Sequence, residues 1–234
     1  MKKLSGNPYL KAVNGNLFMD QVELTELLKV SNTPIMIFLE NKIRSNLKTF
    51  NKVFKSIFKN FECYYSLKAN YLPEICTIIQ SEGVGAEAIG LPELKLALIT
   101  KFSSDKILVG GPYLPDVLIE KAIKNQVREI IVYDLKDLKR INLTAQKNNR
   151  VQDICVRINS QKYGSRLGVF FDNENLSELK EKIQECKNIR VVSILSHYTS
   201  QMNNIEQFKK NLKSIIDNLQ YLTRNGINIK NINL

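Results

Sequence analysis

The chemistry available to this chain starts at Lys68. It follows an apolar run, Phe61 to Leu67, that reads as a β-strand, and period-2 alternation puts it on the same face as Ser66 and Tyr64. An amine at the buried end of a strand is desolvated, which favours its neutral form, and a neutral amine is what attacks an aldehyde to make a Schiff base. The plainer alternative is one lysine among many, its stem along the strand end and its ammonium in water. His197 closes a second such run and is the one histidine of the chain; a lone strand histidine reads by itself as a satisfied core residue. Arg157, near the end of a third run, reads by itself as a surface ion-pair member.

Other chemistries are poorly served. The four cysteines, Cys63, Cys76, Cys155 and Cys186, are scattered with no C-x-x-C pair, so a structural zinc site is not expected. Net charge is +11, but the lysines are spread among Asn and Ile residues with no dense basic run and no aromatic-interleaved motif, so no nucleic-acid partner is expected. The N-terminus has two lysines with no apolar run behind them, and no segment approaches the roughly 18 apolar residues of a membrane span. No membrane partner is expected, and a reduced cytoplasm is the default location.

The elements that must position these residues repeat. Strands read at about 61–67, 84–89, 107–110, 130–133, 154–158 and 191–197, with a seventh beginning near Ile232, and amphipathic segments lie between them. Pro73 and Pro92 suit first helical positions, Asp116 follows Pro115 just before an apolar stripe, and Asn41 to Phe58 and Asn203 to Arg224 read as longer helices. Such βα repetition builds either a doubly wound open sheet or an incomplete eight-stranded barrel, and periodicity alone does not choose. No G-x-G-x-x-G follows the first strand, which weakens the dinucleotide-binding version. Residues 1–33 carry no repeat unit; Asn14, Gly15 and Asn16 mark a turn within them.

Six segments in order carry a resemblance. Tyr65-Ser66-Leu67-Lys68-Ala69-Asn70 resembles the Tyr-Ala-x-Lys-Ala-Asn signature of the diaminopimelate, ornithine and arginine decarboxylases that depend on pyridoxal 5'-phosphate (PLP). Gly83 to Leu94 is similar to the family's second-strand segment, an acidic residue followed by a small-residue turn and Glu-Leu. Ile107 to Gly111, Ile131 to Asp134, and Val156 to Asn159 followed by Ser165 to Gly168 resemble the third, fourth and fifth. Ser196 to Gln201 resembles the His-x-Gly-Ser-Gln motif ending strand six. All fall at C-terminal strand ends, the face on which barrel active sites are built.

The resemblance implies an α/β fold, a (β/α)8 TIM barrel of the alanine racemase-like type. It divides the chain into an N-terminal extension at 1–33, which in relatives packs on a C-terminal β domain, and an incomplete PLP-binding barrel at 34–234. It implies a lyase releasing carbon dioxide from a small-molecule amino-acid substrate, meso-diaminopimelate first among basic ones, and a homodimer as in relatives. Lys68 would hold PLP through a Schiff base, and His197 would lie against the pyridine ring. Ser200 would reach the phosphate, and Arg157 would sit at the pocket mouth. Glu87 stands where the family has an aspartate, its extra methylene displacing the carboxylate. Glu93 matches the family more closely, although after Pro92 it would also favour the positive end of a helix. Arg166 resembles a basic residue near the subunit interface of relatives.

Two departures qualify this. Thr199 replaces the motif's glycine, and the Ser-His-Tyr-Thr-Ser string with Arg166-Leu167-Gly168 also resembles alanine racemases, so racemisation stands as an alternative, as does a non-catalytic PLP-binding barrel. The glycine-rich phosphate loop and the C-terminal β domain of the relatives have no counterpart before Leu234, so a fragment is expected. With its barrel unclosed, such a fragment would show poor solubility or association, and weak retention of PLP.

Overall fold

The computed structural model describes residues 8–159, 167–197 and 202–234, and the backbone alone of residues 2–3. The chain forms two compact units, Met1–Phe50 and Asn51–Leu234. In the first, β1 (Lys2–Lys3), β2 (Leu10–Val13), β3 (Asn16–Met19) and β4 (Val22–Glu23) make an antiparallel sheet in that order, followed by α1 (Leu24–Val30). Asn14 and Gly15 join β2 to β3 with φ of 50° and 85°, a two-residue hairpin of the kind Asn-Gly favours. α2 (Glu40–Ile57) begins in this unit and ends in the next.

The second unit holds seven parallel strands in the order β11-β10-β9-β8-β7-β6-β5. They are β5 (Tyr64–Ser66), β6 (Gly85–Ala88), β7 (Ile107–Val109), β8 (Glu129–Val132), β9 (Gln152–Ile158), β10 (Ile189–Ser196) and β11 (Asn231–Asn233). Between them run α3 (Pro73–Ser81), α4 (Leu91–Ile99), α5 (Asp116–Lys124), α6 (Asp137–Lys147), α7 (Asn173–Glu185) and α8 (Ile205–Arg224). Pro73 and Pro92 open α3 and α4 within their first two positions. Side chains of Asp172 and Asn204 cap α7 and α8 by accepting from Asn175 N and Gln207 N at 2.9 Å each.

The sheet curls into an unclosed barrel. Arg128, just before β8, reaches Glu62, just before β5, at 2.7 Å, although β8 and β5 are three strands apart in the sheet order. Flat strands that far apart would stand roughly 14 Å away from each other. Curling makes two apolar layers. Inside, Leu108, Ile131, Cys155 and Leu195 pack together with Tyr64 and Tyr133. Outside, the alternate residues Ile107, Val109, Ile130, Val132, Ile154, Val156 and Ile194 are buried, as are Leu94, Leu118, Leu138, Leu179 and Ile215 on the helices. Each fully buried Leu or Ile contributes about 1.5–3 kcal/mol. Position 85 shares the inward face of Glu87 by alternation, and it is glycine because any larger residue would collide: a Cβ there would lie 2.5 Å from the Tyr64 ring and 2.7 Å from Lys106 O. Among the described residues no helix is long and apolar enough to cross a membrane.

Candidate active site

Parallel pairing brings every C-terminal strand tip to one rim, and the candidate residues sit there. β5 ends at Ser66, shorter than the sequence run suggests, and Lys68 lies in the 3-10 turn that follows, Leu67–Ala69. Asn70 Oδ1 then accepts from Leu72 N at 3.0 Å, shaping the turn before α3 starts at Pro73. Lys68 is exposed, so the desolvation expected of a lysine at a buried strand end is absent. Its neighbours on the strand behave as alternation requires: Tyr64 packs against the interior cluster, while Leu67 is buried on the opposite side.

Arg157, on β9, is buried with 7% of its surface exposed, deeper than a residue at a pocket mouth. Its guanidinium stacks 4.6 Å from the centroid of the Tyr133 ring, which the sequence reading did not single out as a site residue, and its Nε has no hydrogen-bond partner. Tyr133 shares the inward face of Glu129 and Ile131 by period-2 alternation, a signal available in the sequence. Beyond β9 the chain leaves at Asn159 and returns at Val169, which pairs with Ile158 and donates its N–H to Arg157 O at 2.8 Å. Gly168 makes this return with φ 101°, and a Cβ on it would lie 2.8 Å from Arg157 O, so this position demands glycine.

His197 follows the last residue of β10, and its pKa is lowered from the ordinary 6.5 by partial desolvation, then by the charges of Arg157 and Lys68. The neutral imidazole is therefore favoured. This coupling also places three candidates around one space: β5 and β10 are separated by four intervening strands, and only a curled sheet lets Lys68 act on His197. Glu87 faces inward on β6, paired in register with Ser66 and Leu108, and its charge helps raise the pKa of the wholly buried Cys155 thiol, after burial itself and Glu129. Glu93 instead serves its own helix, accepting the N–H of Ile89 at 3.1 Å across the start of α4. Ser200, Thr199 and Arg166 lie outside the described residues.

Three buried polar side-chain atoms at this rim lack any partner: Ser66 Oγ, Arg157 Nε and Asn159 Oδ1. The opposite end of the strands is built differently. Tyr64 Oη donates to Glu62 at 2.6 Å, Arg190 Nε donates to Asp153 Oδ1 at 2.7 Å, and Asn231 Nδ2 approaches Glu129 Oε1 and Ser193 Oγ at 3.5 and 3.4 Å. Burial works to raise the Glu62 carboxyl, but Tyr64 and Arg128 outweigh it and hold it low. Burial pushes Glu129 up, against the opposing pull of Ser193 and Arg128. A cleft of about 400 Å³ opens there between the N-terminal ends of β8, β9, β10 and β11, and none of the candidate residues lines it.

Known proteins resemble this chain along nearly its whole length. A diaminopimelate decarboxylase of Aquifex aeolicus is 24% identical over 240 residues, covering 97% of this chain and 56% of the relative. An L-glutamyl-[BtrI acyl-carrier protein] decarboxylase of Niallia circulans is 26% identical over 220 residues, covering 90% of this chain and 49% of the relative. The crystal structure of diaminopimelate decarboxylase from Methanocaldococcus jannaschii in co-complex with L-lysine superposes with a TM-score of 0.85 at 23% identity, over 98% of this chain and 56% of that one. The chain thus spans about half the length of these relatives. Residues 40–234 match the family described as pyridoxal-dependent decarboxylase, pyridoxal binding domain, and the chain belongs to that family.

Proposed function

We propose that this chain binds PLP at the tips of β5, β9 and β10 and serves the cytoplasmic decarboxylation of a basic amino acid, meso-diaminopimelate first among candidates. The observation that carries the reading is the convergence of Lys68, Arg157 and His197 on one rim where buried polar atoms stand unpartnered. The donor set suits a phosphorylated aromatic aldehyde. Lys68 offers an accessible amine to the aldehyde, and the resemblance of the Ser196 to Gln201 segment to the family motif gives Ser200 to the phosphate. His197, favoured in its neutral form, can lie against a flat ring without adding charge. Arg157 is held in place by Tyr133 and keeps its Nε as a free donor, while Glu87 supplies a carboxylate deeper on the same inward face. When bound, PLP supplies the electron sink for the electron pair left behind by departing carbon dioxide. Relatives at similar identity are named for a free diamino acid and for a carrier-bound glutamyl group, so the substrate is assigned on the family's commonest activity among these matches.

The test is chemical capture. The chain, incubated with PLP and reduced with borohydride, should yield a pyridoxyl label concentrated on the peptide carrying Lys68, and Lys68→Ala should remove it. Label spread over the other lysines with Lys68 unmodified would overturn the assignment. Carboxyl-labelled meso-diaminopimelate, ornithine and arginine then separate substrates by the labelled carbon dioxide released. Deuterium uptake at the α-carbon without that release would indicate racemisation instead.

A further inference from the structure

We propose that Asn211, on α8, is a positioning residue for His197, acting through a buried hydrogen bond to Ser196. The proposal deepens the reading above, which sets His197 against the cofactor, and it rests on that reading for its purpose.

Ser196 is the last paired residue of β10, matched to Ile158 of β9, while β11 ends one step earlier opposite Leu195. His197 therefore projects beyond the ladder, and strand pairing does not fix its direction. What does hold the tip is on the other face of the strand. Ser196 Oγ donates to Asn211 Oδ1 in a very short contact, with both residues buried and Asn211 fully inaccessible. Because successive strand residues point to opposite faces, anchoring the outward Ser196 side chain sets the rotation of the inward His197.

The residue type is informative. Asn211 falls on the buried stripe that α8 otherwise fills with Ile215 and Leu222, and its Nδ2 has no partner. An apolar residue at that position would pack with its neighbours and leave no polar atom unsatisfied, so stability alone does not call for asparagine. A directional bond does: it fixes one rotamer of Ser196, where apolar packing would leave the strand tip free to turn. The groups that His197 senses, Arg157 and Lys68, sit on other strand tips, so a rotated imidazole would meet a different field.

The single histidine makes this measurable by NMR titration of the imidazole in the intact chain without cofactor. Wild type should titrate below 6.5, and Asn211→Leu and Ser196→Ala should each move the titration toward that ordinary value. Ser196→Thr, which keeps the hydroxyl, should restore the wild-type curve. Ile215→Ala should weaken the packing of α8 yet leave the imidazole titration where it was. The proposal is overturned if Asn211→Leu and Ser196→Ala titrate as wild type, or if Ile215→Ala shifts the curve as far as they do. Capture of PLP at Lys68 reads the other claim separately. A shifted titration without capture keeps the positioning role and removes the proposed function, and capture without a shifted titration does the reverse.

Discussion

The two ends of the same seven strands handle polarity in opposite ways. At the N-terminal ends, acids and bases satisfy one another: Arg128 with Glu62 and Glu129, Arg190 with Asp153, and Asn231 with Glu129 and Ser193. At the C-terminal tips, Ser66 Oγ, Arg157 Nε and Asn159 Oδ1 are buried and unpaired. Each such atom costs about 1–3 kcal/mol, so one rim gives up stability that the other retains. A cleft of about 400 Å³ opens at the paired end. The cleft and the paired charges thus lie away from the proposed site, and the unpaired polar atoms lie at it. Functional sites are where a sequence departs from local consistency.

The strongest way to break this contrast is at Arg128. It joins the start of β8 to the start of β5, stacks 6.0 Å from the Tyr64 ring centroid, and lies 3.8 Å from the buried Glu129 carboxylate. Arg128→Met would remove the cation beside the buried Glu129 and unpair Glu62, and urea unfolding should show a loss of roughly 2–3 kcal/mol. A loss below about 0.5 kcal/mol, within the ordinary range for surface substitutions, would mean that the paired end is no more structural than the tips.

Arg157→Met is the complementary change, and a smaller one for stability. Losing the stack on Tyr133 costs about 0.5–2 kcal/mol, but removing the unpartnered Nε returns about 1–3 kcal/mol, so the net should run from a loss of about 1 to a gain of about 2.5 kcal/mol. Meanwhile the His197 titration should rise toward 6.5, since one of the cations lowering it is gone, and PLP capture should fall. Two arginines on neighbouring strands would thus have opposite signatures, one structural and one reserved for a ligand. An unfolding loss of 3 kcal/mol for Arg157→Met would merge them.

Most of the scaffold behind this contrast was legible in the sequence. Six apolar runs and the start at Ile232 correspond to β5 through β11, because strands buried on both faces write continuous Val and Ile runs. Pro73 and Asp116 mark the first residues of α3 and α5. Boundaries were less legible: the run 61–67 yields a strand only at Tyr64–Ser66, since Leu67 and Lys68 turn into the loop, and this leaves Lys68 in solvent. The hairpin β2–β3 went unread as strands, although Asn14-Gly15 is the turn signal for one. The motif order named Lys68, Arg157 and His197, but no pattern in one dimension shows that Asn159 Oδ1 stays unpaired or that Asn211 meets Ser196. Those facts depend on which strands curl together and which helix covers them.

Glu129→Gln offers the smallest effect and the finest discrimination. Burial raises the Glu129 pKa above its ordinary 4.5, despite Ser193 and Arg128, so folding favours the protonated form. A carboxyl raised in the folded state contributes stability below its unfolded pKa and loses it as pH climbs through the folded value. Glutamine stays neutral at every pH and keeps a carbonyl oxygen for Ser193 and Asn231. The two proteins should therefore match below pH 4.5, and the variant should become relatively more stable as pH rises above it, by unfolding midpoints across the range. If the variant instead loses stability at neutral pH, the ion pair with Arg128 outweighs the burial of the charge, and the N-terminal end is held by charge rather than by hydrogen-bond satisfaction. Either sign leaves PLP capture unaffected, because Glu129 lies at the far end of β8 from the rim that carries Lys68.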